Sequence, residues 1–450
     1  FTGNNTSLPA TGFTSNGVEL HAARAVANGD NTNGWTPVRN LRVLFNIFMN
    51  FNRDGVVINN QGDPQSNHYV SFNAFDNLSD DRTAVTLTRN AYGTVEGNCM
   101  QRVGYGVRIE SCDDYIMTPT ATAVRKNTIR SERTGIVVFE YYQNGAPLDI
   151  RENILTTEPN ATGNIGLSLT TIHDGVPVTI ANNDISGAYV GVKAADCDPV
   201  THLTLQQCTL QDNTYGVHVH NAPNTFQPTQ LNLENTSIAL SRTAGVRIED
   251  TDPAVPAVSV GFYNQNVISG GDLPGATGIE LVGAQAMTDI AGSDPLRLYG
   301  FDAPGCNYFV LAYNGSGSAP ADVAAEEVYF GPEAQVLGAP VRGADMVAPE
   351  YCYVQSRIMD MNDDPGLGLV DLGFTAPPQA TLTAGQSGGL NSTVTICPGD
   401  STKLSVFFTG GGTYDLIYTD GLDFYFVSNI NINPYSVSYT HLTLPTNREV

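Results

Sequence analysis

The chain has 450 residues, 41% of them hydrophobic and 15% charged, and its 45 acidic residues outnumber 21 basic ones for a formal net charge of −24. So acidic a chain repels phosphate backbones and anionic bilayers, which argues against nucleic acid as a partner. No apolar run reaches the roughly eighteen residues that a membrane-spanning helix needs, and the chain opens on Phe1 with neither methionine nor a signal peptide, as expected of a fragment or a processed form.

Residues 1–16 are polar and read as a partial coil. From Gly17 onward one short phrase keeps returning, a glycine followed by apolar, variable and apolar residues. It stands as Gly17-Val18-Glu19-Leu20, Gly55-Val56-Val57-Ile58, Ala84-Val85-Thr86-Leu87, Gly106-Val107-Arg108-Ile109 and Gly135-Ile136-Val137-Val138. It continues as Gly166-Leu167-Ser168-Leu169, Gly191-Val192-Lys193-Ala194, Gly216-Val217-His218-Val219, Gly245-Val246-Arg247-Ile248 and Gly278-Ile279-Glu280-Leu281. Successive starts lie 38, 29, 22, 29, 31, 25, 25, 29 and 33 residues apart, a self-similar unit that means stacked supersecondary repeats.

The second and fourth positions are apolar in every copy, and the third is apolar only at Val57 and Val137. That is the period of a strand with one buried and one solvated face, whereas a helical repeat needs apolar residues three and four apart and excludes glycine from its interior. Several coils carry a second strand upstream, as at Val178-Thr179-Ile180, Leu203-Thr204-Leu205, Leu231-Asn232-Leu233 and Val258-Ser259-Val260. Two or three strands per unit leave no room for a crossover helix, so parallel neighbours arise by coiling. The pattern predicts an all-β chain built on a right-handed parallel β-helix solenoid.

A polar corner separates the two strands, often asparagine: Asn46, Asn73, Asn98, Asn127 and Asn183. Asparagine tolerates left-handed backbone, and stacked copies can pair amide to amide between coils. With this corner, the phrase resembles the coils of pectate lyases, polygalacturonases and the wider family of secreted β-helix repeat proteins, over roughly residues 12–345. The long excursions at 21–38, 140–147, 220–229 and 250–257 are expected to leave the stack at corners.

The β-helix is assigned to residues 1–345, although its period blurs from Met287, and an end cap to 346–374, because an open solenoid end exposes unpaired main chain. Thr375-Ala376-Pro377-Pro378 opens a linker over 375–390. Residues 391–436, with Cys397-Pro398-Gly399-Asp400, resemble an immunoglobulin-like (PKD-like) module of bacterial surface proteins, here a truncated, partial β-sandwich. In that family the cysteine has a partner near the module's end, and none follows Cys397. Residues 437–450, beginning Val437-Ser438-Tyr439-Thr440-His441-Leu442, resemble an in-frame translation of a transposase-type sequencing adapter and are set aside.

Seven cysteines show no metal-type spacing. Pairs such as Cys99 with Cys112, Cys197 with Cys208 and Cys306 with Cys352 suit an oxidising compartment, and buried free thiols are the alternative. The acid pairs Asp80-Asp81, Asp113-Asp114 and Asp363-Asp364 sit in no catalytic phrase, and the polygalacturonase signatures Asn-Thr-Asp, Gly-His-Gly and Arg-Ile-Lys are absent. Trp35 reads as a loop anchor rather than a sugar platform.

The phrases place Lys193, His218, Arg247 and Glu280 in one outward column, about 4.8 Å per coil. Such a column could hold a uronate or a sulfate, with His218 as proton carrier, or could be a plain solvated face in which Arg247 finds Glu249 or Glu280. His218 and His220 share a strand face and offer two metal donors without a third. Asp360, Asn362 and Asp364 alternate as in a calcium loop, but Pro365 stands where that loop wants glycine. Two functions follow. The first is a secreted or cell-surface bacterial rod that acts without catalysis in adhesion or in binding polysaccharide or cell-surface glycan. The second is a polysaccharide lyase or glycoside hydrolase, for which Lys193, His218 and Arg247 are the candidate catalytic residues.

Overall fold

In the computed structural model the apolar positions of the repeat stack into continuous interior columns. Val192, Val217, Val246 and Ile279 are register partners from coil to coil, as are Ala194, Val219, Ile248 and Leu281, and all eight are fully buried. A third column runs through the short strand after each corner: Phe48, Phe75, Met100, Ile129, Leu155, Ile185, Leu210, Ile238, Ile268, Leu298 and Phe330. Phe48 and Phe75 stack face to face within it, with ring centroids 4.7 Å apart. The upstream strands form a separate 10-stranded sheet, while the phrase strands and corner strands join into a 22-stranded one. Parallel pairing between successive coils is the mark of a β-solenoid, and among the described residues the regular structure is all-β apart from Ala348–Gln355 and a short turn of 3-10 helix.

The structure describes residues 18–21, 23–24, 35–36, 41–50, 54–59, 67–78, 81–88, 91–112, 121–142, 147–157, 162–173, 176–197, 203–221, 229–250, 258–283, 286–292, 294–301, 303–312, 322–331, 340–346, 348–373, 380–384, 402–408, 414–419, 424–430 and 435–439. The side chains of Trp35, Cys112 and Cys352 lie outside the described residues, as do Asp80, the Asp113-Asp114 pair, Cys397, most of the long excursions and residues 440–450.

Each corner is made by two consecutive residues. The first adopts left-handed backbone, as at Lys126 (φ 56°), Asn182 (φ 54°), Gln207 (φ 53°) and Asn235 (φ 47°), a conformation that costs an L-residue about 1–2 kcal/mol. The second is the ladder residue. The side-chain carbonyl oxygen of Asn153 accepts from Asn127 N–H (3.1 Å) and Asn127 Nδ2 (3.0 Å), while Asn153 Nδ2 donates to Val124 O (2.9 Å) and to Asn183 Oδ1 (3.0 Å). The same amide-to-amide rung joins Asn46, Asn73, Asn98 and Asn127. Asn153, between Glu152 and Ile154, is a rung that the sequence pattern had not singled out.

The ladder is carried on by other residues where asparagine is missing. Cys208 and Thr236 take the place, and Asn266 resumes it by accepting from Thr236 N–H at 3.0 Å. Asn183 Nδ2 donates to Ile150 O at 2.9 Å and, in place of an amide rung, meets the Cys208 sulfur at 3.9 Å, and that thiol leans on Ile180 O and Gln206 O. Cys197, at a different corner, leans on Ala195 O and Leu169 O. Of the two alternatives for Cys197 and Cys208 the structure has buried thiols outside any disulfide, held at separate corners by backbone carbonyls, and Cys99 and Cys306 form no disulfide either.

The glycine of the phrase answers to close approach rather than to an unusual φ. A Cβ on Gly166 would lie 2.6 Å from Gly191 O and 2.3 Å from Ile185 Cγ2, so the main chains of adjacent coils meet there with no room for a side chain.

The coils continue past the blurred period, with Leu296–Tyr299, Asn307–Ala312 and Val328–Phe330 in parallel register. Val341–Arg342 then pairs antiparallel to Val328–Phe330, and Ile358–Met359 adds a last parallel partner to Asn307–Ala312. The chain divides into two units, Phe1–Ala344 with Val354–Gly373 and Asp345–Tyr353 with Phe374–Val450. The second contains a three-stranded antiparallel sheet of Ala380–Ala384, Thr402–Phe408 and Tyr435–Tyr439, and the pair Tyr414–Thr419 with Phe424–Ile430. Ala380–Ala384 lies in the stretch read as a linker, where alternating threonines and apolar residues suit a strand. Val437, Ser438 and Tyr439, the first of the residues set aside, complete the Tyr435–Tyr439 strand.

Replacing Asn153 by alanine takes the side-chain partners from Asn127 N–H and Val124 O and removes both amide-to-amide bonds, at about 1–3 kcal/mol for each group left unmatched. The urea midpoint of Asn153→Ala is expected to fall by the equivalent of roughly 2–5 kcal/mol, whereas Cys208→Asn, which restores a rung, should raise stability by roughly 1 kcal/mol.

Candidate functional site

The third residue of each phrase points away from the interior, and coil pairing sets these residues side by side. Lys193 is the register partner of His218, His218 of Arg247, and Arg247 of Glu280, as the spacing predicted. The column is polar from Ser168 to Glu280, bracketed by Val137 on one side and Val310 on the other. Two residues further along the same strands runs a second outward column, Ala195, His220, Glu249 and Val282.

This face is recessed. Ala195 and Val282 point outward yet are only 2% and 3% exposed, and the side chains of His218, Arg247 and Glu280 retain 18%, 20% and 19% of their surface. The polar groups therefore sit on a partly desolvated floor, where charges interact more strongly than on an open surface.

Most of them satisfy one another. Arg247 Nε donates to Glu249 Oε2 at 3.1 Å and its Nη1 to Glu280 Oε2 at 3.0 Å, while His218 Nε2 lies 3.2 Å from the same Glu249 oxygen. The guanidinium also sits 5.6 Å from the ring centroid of Tyr215, whose ring meets Tyr189 edge-on at 5.6 Å. The His218 contact and the Arg247 charge hold Glu249 down at about 2. Burial pushes the Tyr215 phenol up. His220, whose ring centroid is 5.0 Å from that of His218, is pushed down by burial and then by the charges of Lys193 and His218. Among the described residues Lys193 makes no ion pair.

The alternation of the strands already pointed to Arg247 meeting Glu249 or Glu280, and the structure has it meet both. Tyr189 and Tyr215 were not legible as site residues, because Tyr215 stands three residues before His218, where strict alternation would turn it to the other face, yet it lies beside Arg247. A separate titratable group, Asp54, accepts from Thr83 N–H at 2.9 Å near Arg82 and Arg108, and burial raises its carboxyl.

Asp360, Asn362 and Asp364 come together in one turn. The fully buried Asp360 carboxylate accepts from Asn362 N–H (2.9 Å), Val370 N–H (3.0 Å) and Gln355 Nε2 (3.2 Å), and Asp364 Oδ1 accepts from Gly366 N–H (2.9 Å). These bonds tie the Asp360–Asp371 segment together.

Glu249 lies at about 2 in the folded chain against 4.5 ordinarily, so its stabilisation is complete above the ordinary value and is lost as pH falls from about 4.5 towards 2. After screening for its partial exposure, roughly 1–2 kcal/mol should disappear over that interval. Thermal melts of wild type and Glu249→Gln should converge at the acid end and separate above pH 5.

A family model described as "Periplasmic copper-binding protein (NosD)" matches residues 35–251, which spans the ladder, the interior columns and the floor as far as Glu249. No curated protein matches the chain. Copper sites gather several nitrogen or sulfur donors around one point. Among the described residues no group of three or more His, Cys, Asp or Glu side chains could hold a metal ion. His218 faces Glu249, and the Cys197 and Cys208 thiols each lean on backbone carbonyls. The described donors thus do not fit a copper centre, and the matching segment is similar to that family in its coiled strands.

Proposed function

We propose that the chain is a non-catalytic β-helix rod of the bacterial envelope or exterior, which presents the Lys193–Glu280 floor as a binding face for polysaccharide or cell-surface glycan. A periplasmic setting is supported by the description of the matching family model, and no helix among the described residues is long and apolar enough to cross a membrane. The antiparallel strands of the second unit serve in this reading as an immunoglobulin-like spacer. The Asp360 turn is a structural closure rather than a calcium site.

The observation that carries the reading is the pairing on the floor. A general acid or base needs a pKa near the working pH and freedom to exchange its proton. Glu249 sits at about 2 and is held by two donors, and Arg247 is engaged by two carboxylates, so neither shuttles protons. Fixed opposed charges beside tyrosine rings are instead a rigid polar surface suited to hydroxyl-rich ligands, because its geometry is set before the ligand arrives.

The whole chain, incubated with a panel of acidic and neutral polysaccharides, should bind at least one without releasing unsaturated or reducing ends. Lys193→Ala should weaken that binding about tenfold while leaving circular dichroism unchanged. Product formation abolished by Arg247→Ala would instead establish the lyase or hydrolase.

A further inference from the structure

We infer that the floor takes an anionic group, a carboxylate or a sulfate ester, between Lys193 and His220, and that His220 takes up a proton as the anion binds, so that affinity rises as pH falls. This rests on the reading of the same face as a ligand site and adds to it the charge of the ligand and its control by pH.

Charge balance comes first. On the floor the cations Lys193 and Arg247 stand against the anions Glu249 and Glu280, so without a charged histidine the face offers an anion no net attraction. The two halves are not equivalent, however. Arg247 is held between both carboxylates, whereas Lys193 has no ion pair among the described residues. An arriving anion therefore meets Lys193 at the end of the column furthest from Glu249 and Glu280, with Asp196 the nearest carboxylate on its own coil.

His220 is the second half of that end. Its strand pairs with the one bearing Lys193, its own register partner there is the small Ala195, and its ring lies 5.0 Å from His218. The charged and titratable groups that face it are Lys193 and Asp196 from the preceding coil, His218 from its own strand, and Glu249 as register partner in the next coil. Burial, Lys193 and His218 disfavour its proton, while a backbone hydrogen bond at Asn221 and then the charge of Asp196 favour it. Glu249 is already taken by Arg247 and by His218. An anion seated against Lys193 offsets the repulsion that opposes a proton on His220 and offers an acceptor to the ring nitrogen that Asn221 does not engage. Binding and protonation then favour each other by the same factor, as linkage requires.

The free ring titrates below the ordinary histidine value, and a bound anion moves it upward. In the interval between, one proton is taken up per anion, and affinity rises by about tenfold per pH unit at most.

Calorimetric titration of the whole chain at pH 5.5, 6.5 and 7.5 with an oligogalacturonate, a sulfated dextran and neutral dextran tests this, each run in two buffers of different ionisation enthalpy. The expected result is binding of one or both anionic probes that tightens by between three- and tenfold per unit of acidification, with uptake of up to one proton, and no such trend for neutral dextran. Whichever anionic probe shows the trend identifies carboxylate or sulfate as the ligand group. His220→Gln should flatten the slope, and Lys193→Met should lower affinity at every pH. A slope that survives His220→Gln and vanishes in His218→Gln overturns the assignment to His220. Affinity independent of pH, without proton uptake, overturns the inference while leaving the glycan-binding face intact, and an absence of binding to every probe overturns both.

Discussion

Register between coils is the constraint on which this molecule depends. Side chains alternate across a strand, so a slip of one residue between neighbouring coils would turn each interior column outward and bury the charged one. Backbone hydrogen bonds alone do not prevent that, since they form equally well in either register. The buried amides do. Asn73, Asn98, Asn127, Asn153 and Asn183 meet carbonyl and amide groups only when each corner stands above the last, and stranding such groups in the interior is costly. The left-handed residue before each rung makes the turn sharp enough for amides to stack, and its strain is offset by the bonds of the ladder.

Once register is set, the outward face follows without further design. The interior positions are uniform because they must be: valine, isoleucine and leucine repeat with little variation, and glycine recurs where the main chains of adjacent coils touch. The third position of the phrase is under no such demand, and here lie the polar and charged residues from Ser168 to Glu280. Stacking brings residues some 25 to 33 apart in sequence into lateral contact, so a group of charges scattered along the chain becomes one surface. The recess around it makes each interaction stronger than an exposed pair would be.

The arrangement on that surface is asymmetric in a way that bears on function. Opposed charges at Arg247, Glu249 and Glu280 cancel and hold one another still, which suits a rigid contact surface and ill suits proton transfer. In the proposed reading Lys193 and His220, at the other end, respond to a ligand's charge. The chain as a whole, with a net charge of −24, repels anions, so an anion site needs local cations such as Lys193.

The strands, their parallel coiling and the inward and outward sides of the repeat were all legible in the residues, because a period of two is written by near neighbours and needs no partner to be read. So was the column from Lys193 to Glu280, which depends only on equivalent phrases lying over one another. Asn153 as a rung, Cys208 as its substitute, the thiol state of Cys197, the strand in Ala380–Ala384 and the approach of Tyr215 to Arg247 were not legible. Unit lengths range from 22 to 38 residues, so contacts beyond the phrase depend on where each corner and bulge falls. The sequence by itself determined that this chain winds into stacked β coils with alternating faces. Only the tertiary structure decided which charges meet, because that is a property of pairing between distant coils and is carried by no single stretch of chain.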